Sequence, residues 1–361
     1  MSAFKIILFI FRLLVIALTM LLLGMPYLSP ESAGALYFLS FIALPLMALN
    51  LLMAVLSRKV WRWVFVALCI ISLPLYGKYI PSWQKQGAAN DNGTFSLVSF
   101  NADNFLYDYD IMQQATAYIC RLSPDIICLQ ERPHPSEMSW DRIRSQFTDY
   151  PYVVLNSRDD NVLNLALLSR HPLSNLQEHY FEDTLNKYIT VDVNVGGRKL
   201  RIFNVHLQTT GIQVTDSNLR AREVVPPMYR DDLGDEKSAY EERKEHVMDI
   251  LQACKKNTTY RNVQAHEILE EIDRSPYPII LCGDFNDTPS SYAVRTIGRS
   301  LRDVSCRWPF VGTFQRMHGL MKIDYVFCSD KLECLTYQLI ANSWSDHKMQ
   351  VARFRLPTNN F

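Results

Sequence analysis

Two kinds of hydrophobic pattern divide the chain. The first 80 residues hold three long apolar runs: 6–23, broken only by Arg12 and Thr19, then 33–56, then 60–76. Each approaches the roughly 20 residues that cross about 30 Å of hydrocarbon, so the pattern predicts three transmembrane helices. No small-x-small cleavage pattern follows the first run and two more spans come after it, which reads as an uncleaved anchor. Asn50 is the strongly polar residue inside these runs, while Arg12 and Arg62 lie close enough to an end to reach an interface. That is too little polarity for an ion or substrate pathway, which excludes a transporter.

Residues 81–93 are polar and turn-rich and read as a linker, after which the apolar runs shrink to strand length. Alternating or β-branched runs predict strands over 94–100, 125–130, 153–155, 163–169, 278–282, 322–327, 335–341 and 348–356. Residues 188–195 and 199–205, joined at Gly196 and Gly197, predict a hairpin. Ile111, Ala115, Tyr118, Ile119 and Leu122 fall at helical spacing before Pro124. Two further helical stretches carry Val247, Ile250, Leu251 and Cys254, then Val263, Ile268, Leu269 and Ile272. The long charged stretch 211–242 reads as a surface excursion. About ten strands with helices out of strict alternation predict an α/β fold of two packed sheets with outer helices.

These strands are distinguished by how they end. Residues 278–289 read PIILCGDFNDTP: a buried strand stopped by Gly283, then Asp284 and Asn286 two residues apart and facing one way on extended chain. Other apolar runs deliver Asn101, Glu131, His206, Asp324, Asp346 and His347 in the same manner. Each has a plain structural explanation: an Asx turn at Asp284, a solvated strand end at Glu131, an ion pair of Asp324 with Lys322. Together they offer hard oxygen ligands for Mg2+ or Mn2+, a base beside an attacking water, and donors for phosphoryl oxygens, which is what phosphate-ester hydrolysis needs. No Ser or Cys stands in a nucleophile-elbow context and no GxxxxGK[ST] occurs, so activated water is the expected nucleophile.

Charge changes the picture in two ways. The whole chain balances 37 basic against 37 acidic residues, but the first 83 residues hold 6 basic and 1 acidic, leaving 31 against 36 in the rest. A mildly acidic domain is not built to hold nucleic acid by bulk electrostatics. Lys5 and Arg12 flank the first span, Arg58, Lys59 and Arg62 crowd the link between the second and third, and the link between the first two has Glu31 and no base. The positive-inside rule then puts the N-terminus in the cytoplasm, and three crossings put the catalytic part on the extracytoplasmic side. Seven cysteines follow Cys69, an odd number; Cys128, Cys282 and Cys328 sit in apolar strands as small core residues, and no Cys/His cluster suggests zinc.

The set SFNAD (99–103), LQE (129–131), NVHL (204–207), GDFND (283–287), IDYVF (323–327) and SDH (345–347), with LLSRHPL (167–173), resembles the endonuclease/exonuclease/phosphatase superfamily. The motifs come in the family's order and cover the part beyond residue 83. The resemblance implies a four-layer α/β sandwich of two facing mixed β-sheets with outer helices, here preceded by three transmembrane helices. It divides the chain into an anchor (1–80), a linker (81–93) and a catalytic domain (94–361). It implies that Glu131 is the main ligand of Mg2+ or Mn2+, helped by Asn101 and Asp346. By the same resemblance Asp284 orients or deprotonates the attacking water, Asn286 binds the phosphoryl group, and Asp324 fixes the imidazole of His347, which acts as base or transition-state stabiliser; the resemblance leaves open whether Asp284 or His347 takes the water's proton. His206 then contacts a non-bridging oxygen or the leaving group.

The expectation is a membrane-anchored, metal-dependent phosphoesterase acting on a lipid or small-molecule phosphate ester, with the bilayer and the ester as its partners. A nuclease of the same fold is the alternative, which the acidic balance disfavours. A catalytically silent binding module on a membrane anchor is a second alternative, and it predicts a missing ligand where none is missing.

Overall fold

Apolar alternation becomes strand wherever it was expected, in a computed structural model that describes residues 3–76, 93–157, 163–182, 184–214, 219–221, 239–305, 312–316, 319 and 321–356. Most of the expected linker 81–93 and much of the excursion 211–242 lie outside the described residues. By contacts the chain falls into two units: Met1–Gly77 with Thr209–Val263 and Ser290–Ala293, and Lys78–Gln208 with Gln264–Pro289 and Val294–Phe361.

In the second unit the strands are β1 (Thr94–Asn101), β2 (Ile126–Arg132), β3 (Tyr152–Leu155), β4 (Asn164–Ser169), β5 (Leu173–Tyr180), β6 (Lys187–Val195) and β7 (Arg198–His206). The chain later adds, after the short pair β8 (Ile212–Val214) and β9 (Leu219–Ala221) of the first unit, β10 (Ile279–Asp284), β11 (Arg302–Asp303), β12 (Asp324–Cys328), β13 (Glu333–Ile340) and β14 (Met349–Arg355). One six-stranded sheet runs β13-β14-β1-β2-β4-β3 and the other β11-β12-β10-β7-β6-β5. Each is mixed: β1 is parallel to β2 and β7 to β10, and the remaining pairs are antiparallel.

Period-two alternation explains how the sheets stack. Phe95, Leu97, Ile126, Cys128, Leu165 and Leu167 of the first sheet share one core with Ile189, Val191, Leu200, Ile202, Ile280, Cys282 and Val326 of the second. The intervening residues Val98, Phe100, Ile127 and Leu129 face the other way, onto Met112, Ala115 and Ile119 of a helix at Tyr109–Leu122. That helix is capped by Asp108, whose carboxylate accepts from the backbone of Asp110 and Ile111, and ends at Ser123 in the left-handed conformation. These layers match the expected two facing mixed sheets with outer helices.

Three expectations need correction. Only two helices among the described residues are long and apolar enough to cross a membrane, within Ala3–Tyr27 and Leu36–Leu56, and both are mostly exposed. The third apolar run forms a helix of 17 residues, Val60–Tyr76, with Pro74 inside it. At about 1.5 Å per residue it lies at the short end of what crosses a core of roughly 30 Å, and it is not among the helices long enough to count as a span. The extracytoplasmic placement rested on an odd number of crossings, so it loses its premise. Second, 247–254 and 263–272 are not two helices but parts of one, Ala239–Arg274, since no Gly or Pro interrupts it. Third, β5 is an addition to the expected strands: none of its residues is buried, so no alternation of buried and exposed positions marks it in the sequence.

The first unit has its own polar lock. The Asn50 amide donates to Thr19 Oγ1 and to the Leu46 carbonyl, each at 2.8 Å, and Thr19 Oγ1 donates to the Val15 carbonyl. Two apolar helices are thus joined by a hydrogen bond rather than by shape alone. The Arg12 guanidinium lies 5.2 Å from the centre of the Trp61 ring.

Gly283 is the position where the second sheet tolerates least. Its φ is +142°, and a Cβ there would stand 1.9 Å from the Val205 carbonyl oxygen. Gly197, with φ +86° in the β6–β7 turn, has nothing within 4 Å of such a Cβ. Gly283→Ala is expected to lower stability by about 3 kcal/mol or more, and Gly197→Ala by about 1 kcal/mol, in urea unfolding. Equal losses at the two positions would contradict the close approach of β10 to β7.

Candidate active site

Three of the expected residues share one row across the second sheet. Asp324 pairs with Asp284 across β12 and β10, and Asp284 pairs with His206 across β10 and β7. Register partners point to the same face, so the strand ends place two carboxylates and an imidazole side by side. The facing sheet contributes Asn101 from the end of β1 and Glu131 from β2. Glu131 sits where the β2–β4 register shifts, with φ +51°, a conformation that costs a non-glycine residue about 1–2 kcal/mol. Strain of this kind persists where surrounding contacts over-determine it.

The two sheets meet through the Asn101 amide. Its Nδ2 donates to Glu131 Oε1 at 3.1 Å and to Asp284 Oδ2 at 3.0 Å. His206 Nε2 lies 3.0 Å from the same Glu131 oxygen. Its other nitrogen, Nδ1, faces Asn186 Nδ2 at 2.8 Å, and that amide nitrogen also donates to the Leu207 carbonyl at 2.9 Å. An amide NH2 directed at Nδ1 makes Nδ1 the acceptor whenever the ring is neutral, with its proton then on Nε2, pointed at Glu131; burial works against a charged ring, yet the hydrogen bond and charge of Glu131 and the charge of Asp284 raise His206 above the ordinary imidazole value.

The second imidazole is held from the other side. His347 Nδ1 lies 3.1 and 3.0 Å from the two oxygens of Asp324, which directs Nε2 toward Asp284 Oδ2 at 3.7 Å and Asp346 Oδ1 at 3.6 Å. Its ring packs on Phe314 at 5.2 Å. Asp324 is therefore not the partner of Lys322, whose ammonium pairs with Asp303 at 2.6 Å. Asn286, with φ +51°, donates its backbone N–H to Asp284 Oδ1 at 2.7 Å and its amide to the Leu207 carbonyl at 3.1 Å. The Asx turn and the site are the same structure.

Electrostatics separate the acids. Burial pushes Glu131 up, but the hydrogen bond and charge of His206, with His347 and Asn101, bring it down to about 2, so it stands ready as a charged ligand. Burial and the charge of Asp324 push Asp284 up to about 6 against the pull of both imidazoles. Burial works against the proton on His347, yet Asp324, Asp284 and Asp346 raise it well above the ordinary imidazole value. One site thus holds a carboxylate fixed in its charged form and another poised near neutrality.

Several residues that complete this arrangement were not singled out in the sequence. Asp103, half-buried and pushed up to about 7 by loss of solvent and by the charges of Asp346 and Glu131, lies among these acids. It was legible only as part of SFNAD. Gln315 donates its amide to the Asn342 and Ser345 carbonyls at 2.8 and 2.7 Å and its backbone N–H to the Asp346 carbonyl at 2.7 Å. Asn342 in turn donates to the His347 carbonyl at 2.9 Å. Thr313 Oγ1 accepts from the backbone of Ile323 and Asp324, and Ser345 Oγ donates to the Asn101 carbonyl. Arg170, beside the LLSRHPL turn, stacks on Tyr150 at 5.1 Å as an ordinary surface arginine.

The donors suit a hard divalent cation. Oxygen and imidazole ligand atoms of Glu131, His206 and Asp284 all lie within 4.8 Å of one another, as do those of Asp284, Asp324 and His347. Glu131 is charged, partly open at 20% side-chain exposure, and supported by an amide and an imidazole. Asp346 stands with His347 and with Arg316 Nε, 3.1 Å from its Oδ2.

Comparison with known proteins agrees with this geometry. The model of the Endonuclease/Exonuclease/phosphatase family matches residues 98–347. Among solved structures, a humanized D. rerio TDP2 superposes with a TM-score of 0.50 at 16% identity, covering 73% of this chain and 99% of that one. An endonuclease/exonuclease/phosphatase from Beutenbergia cavernae gives 0.50 at 16% identity, covering 74% and 72%. At such identity the likeness concerns the fold. No curated protein matches the sequence.

Asp284 yields a pH prediction for protein stripped with chelator. Its folded pKa of about 6 exceeds the roughly 3.9 of an unfolded Asp, so between these values the native state keeps a proton that the unfolded chain releases. The contribution to stability is present below about pH 4 and is lost as pH rises through 6. Asp284→Asn should therefore gain on the wild type, on the order of 2 kcal/mol, as pH rises from 4 to 7 in denaturant titrations. A gap that closes over that range would contradict the assignment.

Proposed function

Because the chain belongs to the endonuclease/exonuclease/phosphatase family, we propose that it is a divalent-metal-dependent phosphoesterase that splits a phosphate ester with an activated water. We further propose that its two long apolar helices hold it in a membrane. The carrying observation is the convergence of Asn101 and Glu131 from one sheet on the Asp324–Asp284–His206 row of the other, with His347 closing the row.

Glu131, with Asn101 and Asp346, would hold Mg2+ or Mn2+, and Asp103 adds a carboxylate. When bound, such a cation offsets charge on the phosphoryl oxygens and lowers the pKa of water. Asp284, poised near neutrality and held by Asn101 and Asn286, orients the attacking water and takes its proton. His347 stays protonated on Asp324 and stabilises the negative charge that builds on the phosphoryl group. His206 presents its Nε2 proton to a phosphoryl or leaving-group oxygen, since Asn186 occupies its other nitrogen. Asn286 has a second amide hydrogen for the phosphoryl group besides the one given to Leu207.

The full-length protein in detergent, offered a phosphodiester, a phosphomonoester, DNA and a panel of phospholipids, is expected to turn over one ester class with Mg2+ or Mn2+ and none with chelator. Glu131→Ala should lower the rate about 100-fold or more. DNA as the preferred ester would make it a nuclease, and no turnover with any ester and metal would leave a binding module. Membrane attachment is checked separately: alkaline washing of membranes should leave the protein in the pellet, and release into the wash would contradict insertion.

A further inference from the structure

The turn that follows β1 puts two large apolar side chains beside the candidate metal ligands. Asp103, Asn104, Phe105, Leu106 and Tyr107 all hold φ between +43° and +56°. A residue with a Cβ resists that conformation, and a run of five is held only where its surroundings fix it. The entry is tied to the site, because Asn101 Oδ1 accepts from the Asp103 backbone N–H at 3.0 Å. The exit is tied to the helix that Asp108 caps. Between them Phe105 is buried in one core with Phe100, Met112 and Met138. Leu106 and Tyr107 stay in water instead, 44% and 49% exposed. The turn therefore presents apolar surface at a fixed place next to Asn101 and Asp103.

Charge decides which part of an ester suits this surface. Partial loss of solvent and the charges of Glu137, Asp103 and Glu131 raise the Tyr107 phenol above its ordinary value, so acids stand around it. Asp108 and Asp110 follow directly in the chain. A nucleic acid stacked on Tyr107 would bring further phosphates against these acids, whereas a hydrocarbon brings no charge. Leucine beside tyrosine also offers aliphatic contact, which a stacked base does not require. Resting on the phosphoesterase reading above, we propose that Leu106 and Tyr107 bind the hydrocarbon part of the substrate, so that the substrate class is phosphate esters of apolar alcohols. The two long apolar helices suit the same class independently, since such esters collect in a bilayer.

The test uses the full-length protein in detergent with Mn2+ and three phosphonates, whose carbon–phosphorus bond is not hydrolysed: methyl, hexyl and a thymidine 5′-phosphonate. Affinities are measured by calorimetry for the wild type, the double variant Leu106→Asn with Tyr107→Asn, and Tyr107→Phe. Asparagine accepts positive φ, so the double variant keeps the shape of the turn. The wild type should bind the hexyl compound about tenfold or more tighter than the methyl one, and the double variant should lose about tenfold of that preference. Tyr107→Phe should keep it, because the ring makes the contact. A loss of phosphoryl binding or of folding lowers all three affinities together and leaves the preference as it was. An unchanged hexyl preference in the double variant would overturn the proposal. So would a thymidine preference that falls while the hexyl preference stays, or a hexyl preference lost in Tyr107→Phe. Wild-type ester turnover that disappears in Glu131→Ala, measured in parallel, decides the phosphoesterase reading separately.

Discussion

The site depends on keeping two sheets in register at one edge, and buried amides do this. Asn204 of β7 donates to the Leu129 carbonyl on β2 and the Ala166 carbonyl on β4, both at 3.0 Å, and accepts from Gln130 at 2.6 Å. All of these groups are removed from water, where an unpaired amide costs far more than a paired one gains. Sliding one sheet against the other would break the whole set at once. Apolar contacts beneath, such as Ile126 and Cys128 against Ile280 and Cys282, give the sheets adhesion but little resistance to sliding. The directional bonds of Asn204 and Gln130 sit directly below Glu131 and His206 in sequence, so the constraint acts where the chemistry is placed.

Above that layer the structure accepts conflict. Asp284 and Asp324 are cross-strand neighbours with like charge, Glu131 and Asn286 hold positive φ, and Asp103 opens a run of five residues with positive φ that extends through Tyr107. None of these choices favours folding. They are held because the amide-knit sheets and the Gln315–Asn342 pair leave the loops no alternative of lower energy.

Most of the strand framework and the candidate site residues were legible because polar residues stand at the ends of the apolar runs. Asn101, Glu131, His206, Asp284, Asp324 and His347 do come together, which six separated motifs could suggest only through their order. What could not be read was long-range or negative in character. Gln315 and Asn342 look like ordinary loop amides until their carbonyl partners are in place, and β5 offers too few buried positions to show a period. The helix Ala239–Arg274 reads as two because its apolar face is uneven. The third apolar run has the composition of a span but, among the described residues, forms a shorter helix than the other two, so a topology argued from the parity of crossings hangs on that single helix.

The central claim is that this constellation directs one water at phosphorus without a covalent intermediate on the protein. The most direct measurement is the stereochemical course of hydrolysis, using a diester chiral at phosphorus through sulfur and oxygen isotopes. A single in-line attack by water predicts inversion of configuration in the product. Retention would mean two successive displacements through a side chain that this account does not contain, and would contradict it.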